Sequence, residues 1–337
     1  MSFKRFDPED IALSAESIVA PAWSNQATQL TTNIVSGSQA NLTSGDYYYN
    51  MYAAGTQGAG TGDIQFAVAY GNRRGSGSAA FSTTEIGKSP SSVIYGQYRT
   101  LINGDEDTDF TFGSGTPTPD SVYIISVNRG RFKEKLLPGS FELTLTSGSR
   151  EIKLIDNSTA LSTLSYVDAG RVYDIVSGSL TNGIVTNPAF TAASGSYGKM
   201  YPDIGVFVFN ANALKDSTLG INLNVSESYN LNGNNINTFA TAISSGSNFT
   251  LRSEETITSN YVFVRVRNSE FNYSTNPSNI TGSGELRHNV MVNTPQAYMT
   301  AVGLYNDNND LLGVAKLSKP LLKDFTKEAL IRIKLDF

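Results

Sequence analysis

Residues 261–267, with the sequence YVFVRVR, decide the fold class of this chain. Val262, Val264 and Val266 occupy alternate positions, and the residues between them are aromatic or basic. Successive side chains of a strand point to opposite faces, so this alternation predicts a β-strand with one buried face. Residues 330–337, with the sequence LIRIKLDF, repeat the pattern. The C-terminal segment is therefore expected to be a strand docked on a β body.

Other apolar stretches do not alternate. Residues 122–125 (VYII) and 204–209 (IGVFVF) are nearly unbroken apolar runs. Runs of this length are typical of strands that are covered on both faces. Alternating and continuous strands together predict a mainly β, multi-layer β-sandwich, with three layers as the expected number and one or two short helices in its loops.

Two segments carry helix signals. Asp7 before Pro8 resembles an N-cap followed by a first-turn proline, which predicts a short helix running toward Ile18. Apolar residues at positions 236, 239, 240 and 243 have the spacing of one helix face and predict a helical loop near 233–245. We therefore expect an N-terminal arm with a short helix over residues 1–30 and a β-sandwich body over 31–337.

Turn and loop signals separate the predicted strands. Asn-Gly pairs at 103–104, 182–183 and 232–233 indicate hairpin turns or loops, and the polar run at 305–310 indicates a longer hairpin turn. Gly/Ser-rich stretches at 55–62 and 71–78 are typical of loops. The segment around 92–98 is interpreted as a strand that a loop leads into.

The composition excludes several classes of chemistry. The 337 residues include no cysteine, which removes disulfides, thiolate zinc sites and cysteine nucleophiles. One histidine, His288, cannot supply a His-pair metal site within the chain. The net charge of -5 argues against nucleic-acid binding as the main role. The N-terminus lacks an apolar signal segment and no run of about 18 apolar residues occurs, so no membrane insertion is expected.

Two catalytic look-alikes fail on their own spacing. Residues 85–89 (EIGKS) resemble the end of a phosphate-binding loop, but Ser82 stands where the first glycine is needed and Pro90 disfavours the helical conformation. Residues 87–91 come near a nucleophile elbow, but Ser91 replaces the second glycine. A serine triad would have to use His288, whose neighbours give no catalytic context. We therefore assign no catalytic, cofactor-binding or metal residue and predict that the chain is not an enzyme.

Asp105, Asp107 and Asp109 have the spacing of the first three ligands of a calcium-binding EF-hand loop. The sixth position requires glycine and is Phe110, and the twelfth requires glutamate and is Thr116. The EF-hand interpretation therefore fails. A solvated acidic loop is the default interpretation, and a weak cation site of another kind is the alternative.

Two further features bear on partners. The tail has an excess of basic residues, Lys316, Lys319, Lys323, Lys327, Arg332 and Lys334, over the acidic Asp324, Glu328 and Asp336. This excess indicates either a solvated strand face or a surface for an acidic partner. The run Tyr47-Tyr48-Tyr49 is consistent with sugar stacking, and equally with a core or a protein interface.

Three segments resemble a known family. Residues 85–100 (EIGKSPSSVIYGQYRT), 121–145 (SVYIISVNRGRFKEKLLPGSFELTL) and 298–337 (YMTAVGLYNDNNDLLGVAKLSKPLLKDFTKEALIRIKLDF) are similar to virion structural proteins of contractile-tailed, T4-like bacteriophages, particularly those of cyanobacteria. The closest role is that of a baseplate wedge subunit. The resemblance contains no catalytic motif, so it transfers no active residue.

The resemblance implies a three-layer β-sandwich with short helices in its loops, and a homodimer within each wedge of the tail baseplate. It also implies other wedge subunits as partners, a virion location after assembly in the host cytoplasm, and rearrangement on tail contraction. The alternatives are a carbohydrate-recognising tail protein and a polysaccharide depolymerase. For the depolymerase, the 30 acidic residues leave many carboxylate pairings open.

Overall fold

The computed structural model describes residues 4–30, 34–38, 48–53, 63–74, 90–185, 195–223 and 233–336. The chain divides into two compact units. The small unit consists of Met1–Ser17 and Thr256–Phe337, and the large unit is Ile18–Glu255. The predicted division after residue 30 coincides with neither boundary.

Strands dominate the described residues, and the prediction of a mainly β protein with short helices is confirmed. The strands are β1 Ile11–Pro21, β2 Gln29–Leu30, β3 Ile34–Ser38, β4 Tyr48–Ala53, β5 Ile64–Asn72, β6 Ser121–Val127, β7 Lys135–Leu136, β8 Glu142–Ser147, β9 Arg150–Asp156, β10 Ser165–Val167, β11 Gly170–Ser179, β12 Gly183–Ile184, β13 Gly198–Tyr201, β14 Val206–Asn210, β15 Phe249–Thr250, β16 Arg252–Val266, β17 Gln296–Tyr305, β18 Leu311–Asp324 and β19 Ala329–Asp336. The helices are α1 Pro90–Asn103, α2 Ala211–Lys215, α3 Gly233–Gly246 and α4 Val290–Asn293, with 3-10 turns at Pro8–Asp10, Arg129–Arg131 and Ser158–Ala160.

The large unit is built on one sheet of thirteen strands. Its order is β2-β15-β8-β9-β11-β13-β14-β6-β5-β4-β3, with β10 and β12 paired to β11. Strands β15 and β5 are seven places apart, which in a flat sheet is about 34 Å at about 4.8 Å per strand. However, the rings of Phe249 in β15 and Phe66 in β5 have centroids only 5.1 Å apart. The sheet therefore curls into a nearly closed barrel.

The interior of this barrel is packed with aromatic rings. Phe249 also makes edge contacts with Trp23 at 4.8 Å and with Phe141 at 5.9 Å between centroids. The Trp23 indole N–H donates to the main-chain oxygen of Phe249 at 2.9 Å, so its one polar group is satisfied inside the core. This packing fixes how far the two ends of the sheet approach each other.

One wall of the barrel is covered on both faces, as the continuous apolar runs predicted. On β6, Tyr123 and Ile125 belong to the interior cluster, whereas Val122 and Ile124 belong to a second cluster on the outer face. Helix α1 contributes Tyr95 and Ile102 to that outer cluster. The prediction of strands buried on both sides is therefore confirmed.

Helix α3 closes the barrel, and its prediction is confirmed. It packs on β8 and also reaches β3, β4 and β5 from the far end of the sheet. The four apolar residues that predicted it are all buried, namely Ile236, Phe239, Ala240 and Ile243. A helix with one apolar stripe can cover the opening between the two ends of the curled sheet, because its apolar side packs inward and its polar side faces outward.

The helix predicted from Asp7 toward Ile18 is wrong beyond its first turn. The start is correct, because the Asp10 carboxylate accepts the Asp7 N–H at 3.1 Å beside a 3-10 turn at Pro8–Asp10. The chain then forms β1, which pairs with β16. A short isolated helix is marginal in water, and pairing with a long strand supplies hydrogen bonds between two chain segments instead.

The strand proposed around 92–98 is also wrong, because these residues lie in α1. Pro90 is the first residue of this helix, where its missing N–H costs nothing. The pair Asn103-Gly104 ends the helix rather than forming a hairpin, with Gly104 in the left-handed region at φ +75°. The pair at 182–183 does connect two paired strands, since Ser179 lies opposite Gly183. The pair at 232–233 is described only from Gly233 onward.

The small unit contains the two alternating segments that opened the sequence argument. Strand β16 pairs with β19 so that Val262 lies opposite Ile333 and Val264 opposite Ile331. Strands β17 and β18 form an antiparallel hairpin, with a turn at 306–310 as predicted. Inward residues of this hairpin, including Val302, pack against the β16–β19 pair. The alternation is therefore preserved because one face of β16 and β19 packs on the hairpin.

Candidate functional site

In the acidic loop after α1, the Asp105 carboxylate accepts hydrogen bonds from residues of the loop itself. The Asp105 carboxylate accepts the N–H groups of Asp107 at 2.9 Å and Thr108 at 2.6 Å, and the Thr108 hydroxyl at 2.7 Å. These hydrogen bonds, chiefly from Thr108, hold the pKa of Asp105 below its usual range. Within the described ranges, no group of three or more His, Cys, Asp or Glu side chains could hold a metal ion.

Asp109, the third carboxylate of the predicted cation site, is already bound by protein cations. Arg73 reaches it at 3.2 Å and Arg99 at 3.5 Å, and the Tyr95 hydroxyl donates to it at 3.1 Å. Burial raises the pKa of Tyr95, so this hydroxyl keeps its proton and acts as a donor. Arg73 also binds Asp120 before β6. The network therefore joins α1 to the ends of β5 and β6, and the three aspartates do not form a ligand set.

The catalytic look-alikes lie largely outside the described residues. Positions 85–89 are not described, and the one described serine of the second motif, Ser91, is completely buried in α1. His288 is exposed just before α4. Ser89, which would be the nucleophile of the second motif, lies outside the described residues, and Ser91 stands only at the position of its second glycine.

An open cleft of about 360 Å³ lies on the large unit between β9, β11 and residues 218–219. Its walls include Glu151, Lys153, Ser177 and Tyr197. The Tyr197 hydroxyl is occupied, because it donates to the main-chain oxygen of Leu219 at 2.6 Å, and burial raises its pKa to about 12. One acidic side chain without a second carboxylate among the lining residues does not make a glycosidase pair.

The tyrosine run does not form an aromatic platform in its described part. Tyr48 is exposed, Tyr49 is buried in β4 as part of the barrel interior, and Tyr47 lies outside the described residues. Neighbouring residues of a strand point to opposite faces, so Tyr48 and Tyr49 cannot stack on one sugar. This arrangement matches the core interpretation of the run.

The exposed apolar surface is concentrated in the small unit. Among the described residues, the small unit has four buried hydrophobic side chains and fifteen large hydrophobic side chains that are exposed. The corresponding numbers for the large unit are forty-nine and ten. Single exposed apolar residues are ordinary, but a unit with more apolar side chains outside than inside is typical of a surface that a partner covers.

The outer face of the β17–β18 hairpin carries much of this surface. Leu312 is 69 % exposed and Val314 is 63 % exposed. Val314 lies opposite Gly303. A Cβ atom at Gly303 would be 2.9 Å from the Tyr305 ring and 3.4 Å from Leu311, so these two side chains fill the space over the glycine. Tyr298 adds a further exposed ring on the same hairpin. We define these residues, Tyr298, Tyr305, Leu311, Leu312 and Val314, as the hairpin face.

Sequence reasoning missed the hairpin face. The relevant signal was present in residues 298–305 (YMTAVGLY), where the positions on both sides of the strand are apolar. Such a pattern does not say which face is covered within the chain. The structure resolves this point, because Met299, Val302 and Leu304 pack inward.

No family model, no curated protein and no solved structure matches this chain. Among the described residues, none of the helices has the length and apolar character needed to span a bilayer.

Proposed function

We propose that this chain is a non-enzymatic structural subunit of a bacteriophage tail baseplate wedge, which links neighbouring baseplate proteins and takes part in rearrangement on contraction. The single observation that supports it best is the hairpin face, an apolar surface displayed by a unit with a very small core of its own. The resemblance of residues 298–337 to phage virion proteins covers the same hairpin. A structural subunit of a large assembly needs such surfaces more than it needs a pocket.

The proposed homodimer would use the hairpin face. Its tip carries Asp307 and Asp310, and Lys316 and Lys319 follow along β18 away from the tip. A two-fold axis through the middle of the face would bring the acidic tip of one hairpin to the basic end of the other, with apolar side chains between them. The face is therefore complementary to itself in charge as well as apolar at its centre.

Reconstruction of an intact virion tests the proposed function directly. We expect density for this chain in the baseplate, with the hairpin face covered by protein. Density in the capsid or at a fibre tip would contradict the wedge assignment. The carbohydrate-recognition and depolymerase alternatives lack a supporting feature in the described residues, and a glycan array and a reducing-sugar assay test them.

A further inference from the structure

The outward face of the β16–β19 pair has a second kind of surface. Three cross-strand pairs face away from the hairpin, and each joins one cation to one apolar or aromatic side chain, namely Tyr261 with Lys334, Phe263 with Arg332, and Arg265 with Leu330. We call these six residues the basic face. Leu330 is 62 % exposed, the three cations are exposed, and the two rings are half-buried.

Two of the three cations of the basic face, Arg332 and Lys334, lie against one aromatic ring. The Arg332 guanidinium lies 5.4 Å from the centroid of the Tyr261 ring, and the Lys334 ammonium lies 6.0 Å from it. Both distances are within the range of a cation–π interaction, so one ring positions two like charges side by side. Asp336 binds Lys334 at 3.1 Å, and Glu16 is a second nearby carboxylate. Arg332 and Arg265 give the face its surplus positive charge.

We propose that the basic face docks an acidic segment of a partner protein, with carboxylates opposite Arg332 and Arg265 and apolar side chains against Leu330 and Phe263. This deepens the proposed function, on which it rests, by naming the chemistry of one neighbour. Pairs of opposite charge across an interface orient the docking of two proteins. Aromatic and arginine side chains, both present on the basic face, are enriched in protein interfaces.

The charge count favours protein over nucleic acid. Three cations would contact few phosphates, and the chain as a whole carries a net charge of -5, which repels a polyanion at long range. An acidic protein segment needs complementarity only over the docked face. The outward side chains of β19, which are Leu330, Arg332 and Lys334, are all exposed and therefore accessible to such a segment.

Fluorescence anisotropy with the full chain and a labelled acidic peptide, Ser-Glu-Val-Glu-Ile-Glu-Ser, tests the proposal. The test variant is Arg265→Gln with Arg332→Gln and Lys334→Gln. The matched control removes three exposed cations that belong neither to the basic face nor to the hairpin, Lys153→Gln, Arg287→Gln and Lys327→Gln. We expect the test variant to bind the peptide about tenfold more weakly than the unmodified chain, and the control to change affinity by less than about twofold.

Three results would overturn the proposal. They are absence of peptide binding by the unmodified chain, equal loss in the test and control variants, and binding of a ten-nucleotide oligo-dT that exceeds peptide binding and is lost in the test variant. All substituted side chains are exposed, and an unchanged melting temperature verifies that both variants are folded. A virion map separates the two proposals, because a baseplate location with a solvent-exposed basic face would contradict only the docking, and a location elsewhere would contradict only the wedge function.

Discussion

At the scale of single residues, the small unit contains a completely buried lysine, Lys323 in β18. Its ammonium donates to the main-chain oxygen of Asn268 at 2.9 Å, the side-chain oxygen of Asn272 at 2.7 Å and the main-chain oxygen of Asp324 at 2.8 Å. An ammonium has three donors, and all three are used. The lysine therefore ties the loop that follows β16 to the hairpin, and part of the basic tail predicted as a surface is structural.

Replacing this lysine tests that role. We expect Lys323→Met to destabilise the small unit by about 2–4 kcal/mol, because a buried ammonium and its three hydrogen bonds to partly buried oxygens are lost. Amide hydrogen exchange in β17 and β18 measures the change. The matched control is Lys319→Met on the same strand, where the side chain is exposed. Equal exchange in the two variants would mean that the buried hydrogen bonds contribute little.

A second residue-scale prediction concerns acid stability. Burial by itself would raise the pKa of Asp203, but hydrogen bonds from the side chain and N–H of Arg171 outweigh burial, so the pKa lies below its usual range. A carboxyl with a lowered pKa in the folded state stabilises above its unfolded pKa of about 3.9, and loses that contribution as pH falls through the folded value. Asp203→Asn should therefore be less stable than the unmodified chain at pH near 7.

Urea unfolding across the acid range measures this difference. The gap in unfolding free energy between Asp203→Asn and the unmodified chain should shrink as pH falls below about 4. Asp307→Asn, at the exposed turn of the hairpin, is the control and should show no such convergence. A gap that stays constant with pH would assign the effect to packing rather than to ionisation.

At the scale of elements, some segments could be predicted from sequence and others could not. Strands β16 and β19 retained their alternation because they bury one face, and α3 retained its stripe because it packs into a sheet from one side. The buried face of α1 includes Ser91, Ser92 and Tyr95, which do not form an aliphatic stripe. The sequence does not tell which side of the hairpin is exposed, because both sides of β17 are apolar. The exposed side depends on which of the two packs against the rest of the small unit.

The junction of α3 with the sheet gives an element-scale prediction. A Cβ atom at Gly246 would lie 1.9 Å from the main-chain oxygen of Thr144 in β8, so this end of the helix rests directly on backbone. Alanine normally stabilises a helix relative to glycine by about 1 kcal/mol. We expect Gly246→Ala instead to destabilise by about 1–3 kcal/mol, because backbone must move. Thermal unfolding compares it with Ser245→Ala, an exposed neighbour, and stabilisation by both would contradict this packing.

At the scale of the whole molecule, the two units differ in how they are stabilised. The large unit folds around an interior of aromatic rings and a second outer cluster, which is ample for a chain of its length. The small unit depends on a cluster with only three buried members, Val262, Ile331 and Ile333, together with partly buried neighbours. Its exposed apolar side chains are therefore a larger share of its hydrophobic surface, and covering them would add stability that its own core does not supply.

Self-association tests this argument. In sedimentation velocity, we expect the unmodified chain to shift toward a dimer as concentration rises, and Leu312→Asp with Val314→Asp to remain monomeric, because each face would gain two charges in its apolar centre. The matched control is Val290→Asp with Val292→Asp on α4, where the exposures of 64 % and 69 % are nearly the same. This control should still associate, since α4 lies outside the hairpin face.

Salt gives a second test of the same contact. Because the acidic tip and the basic end of the hairpin contribute by charge, raising the salt concentration from about 0.05 M to about 0.5 M should weaken association without abolishing it. Loss of association in both double variants would show that exposed apolar area in general, rather than the hairpin face, drives the contact.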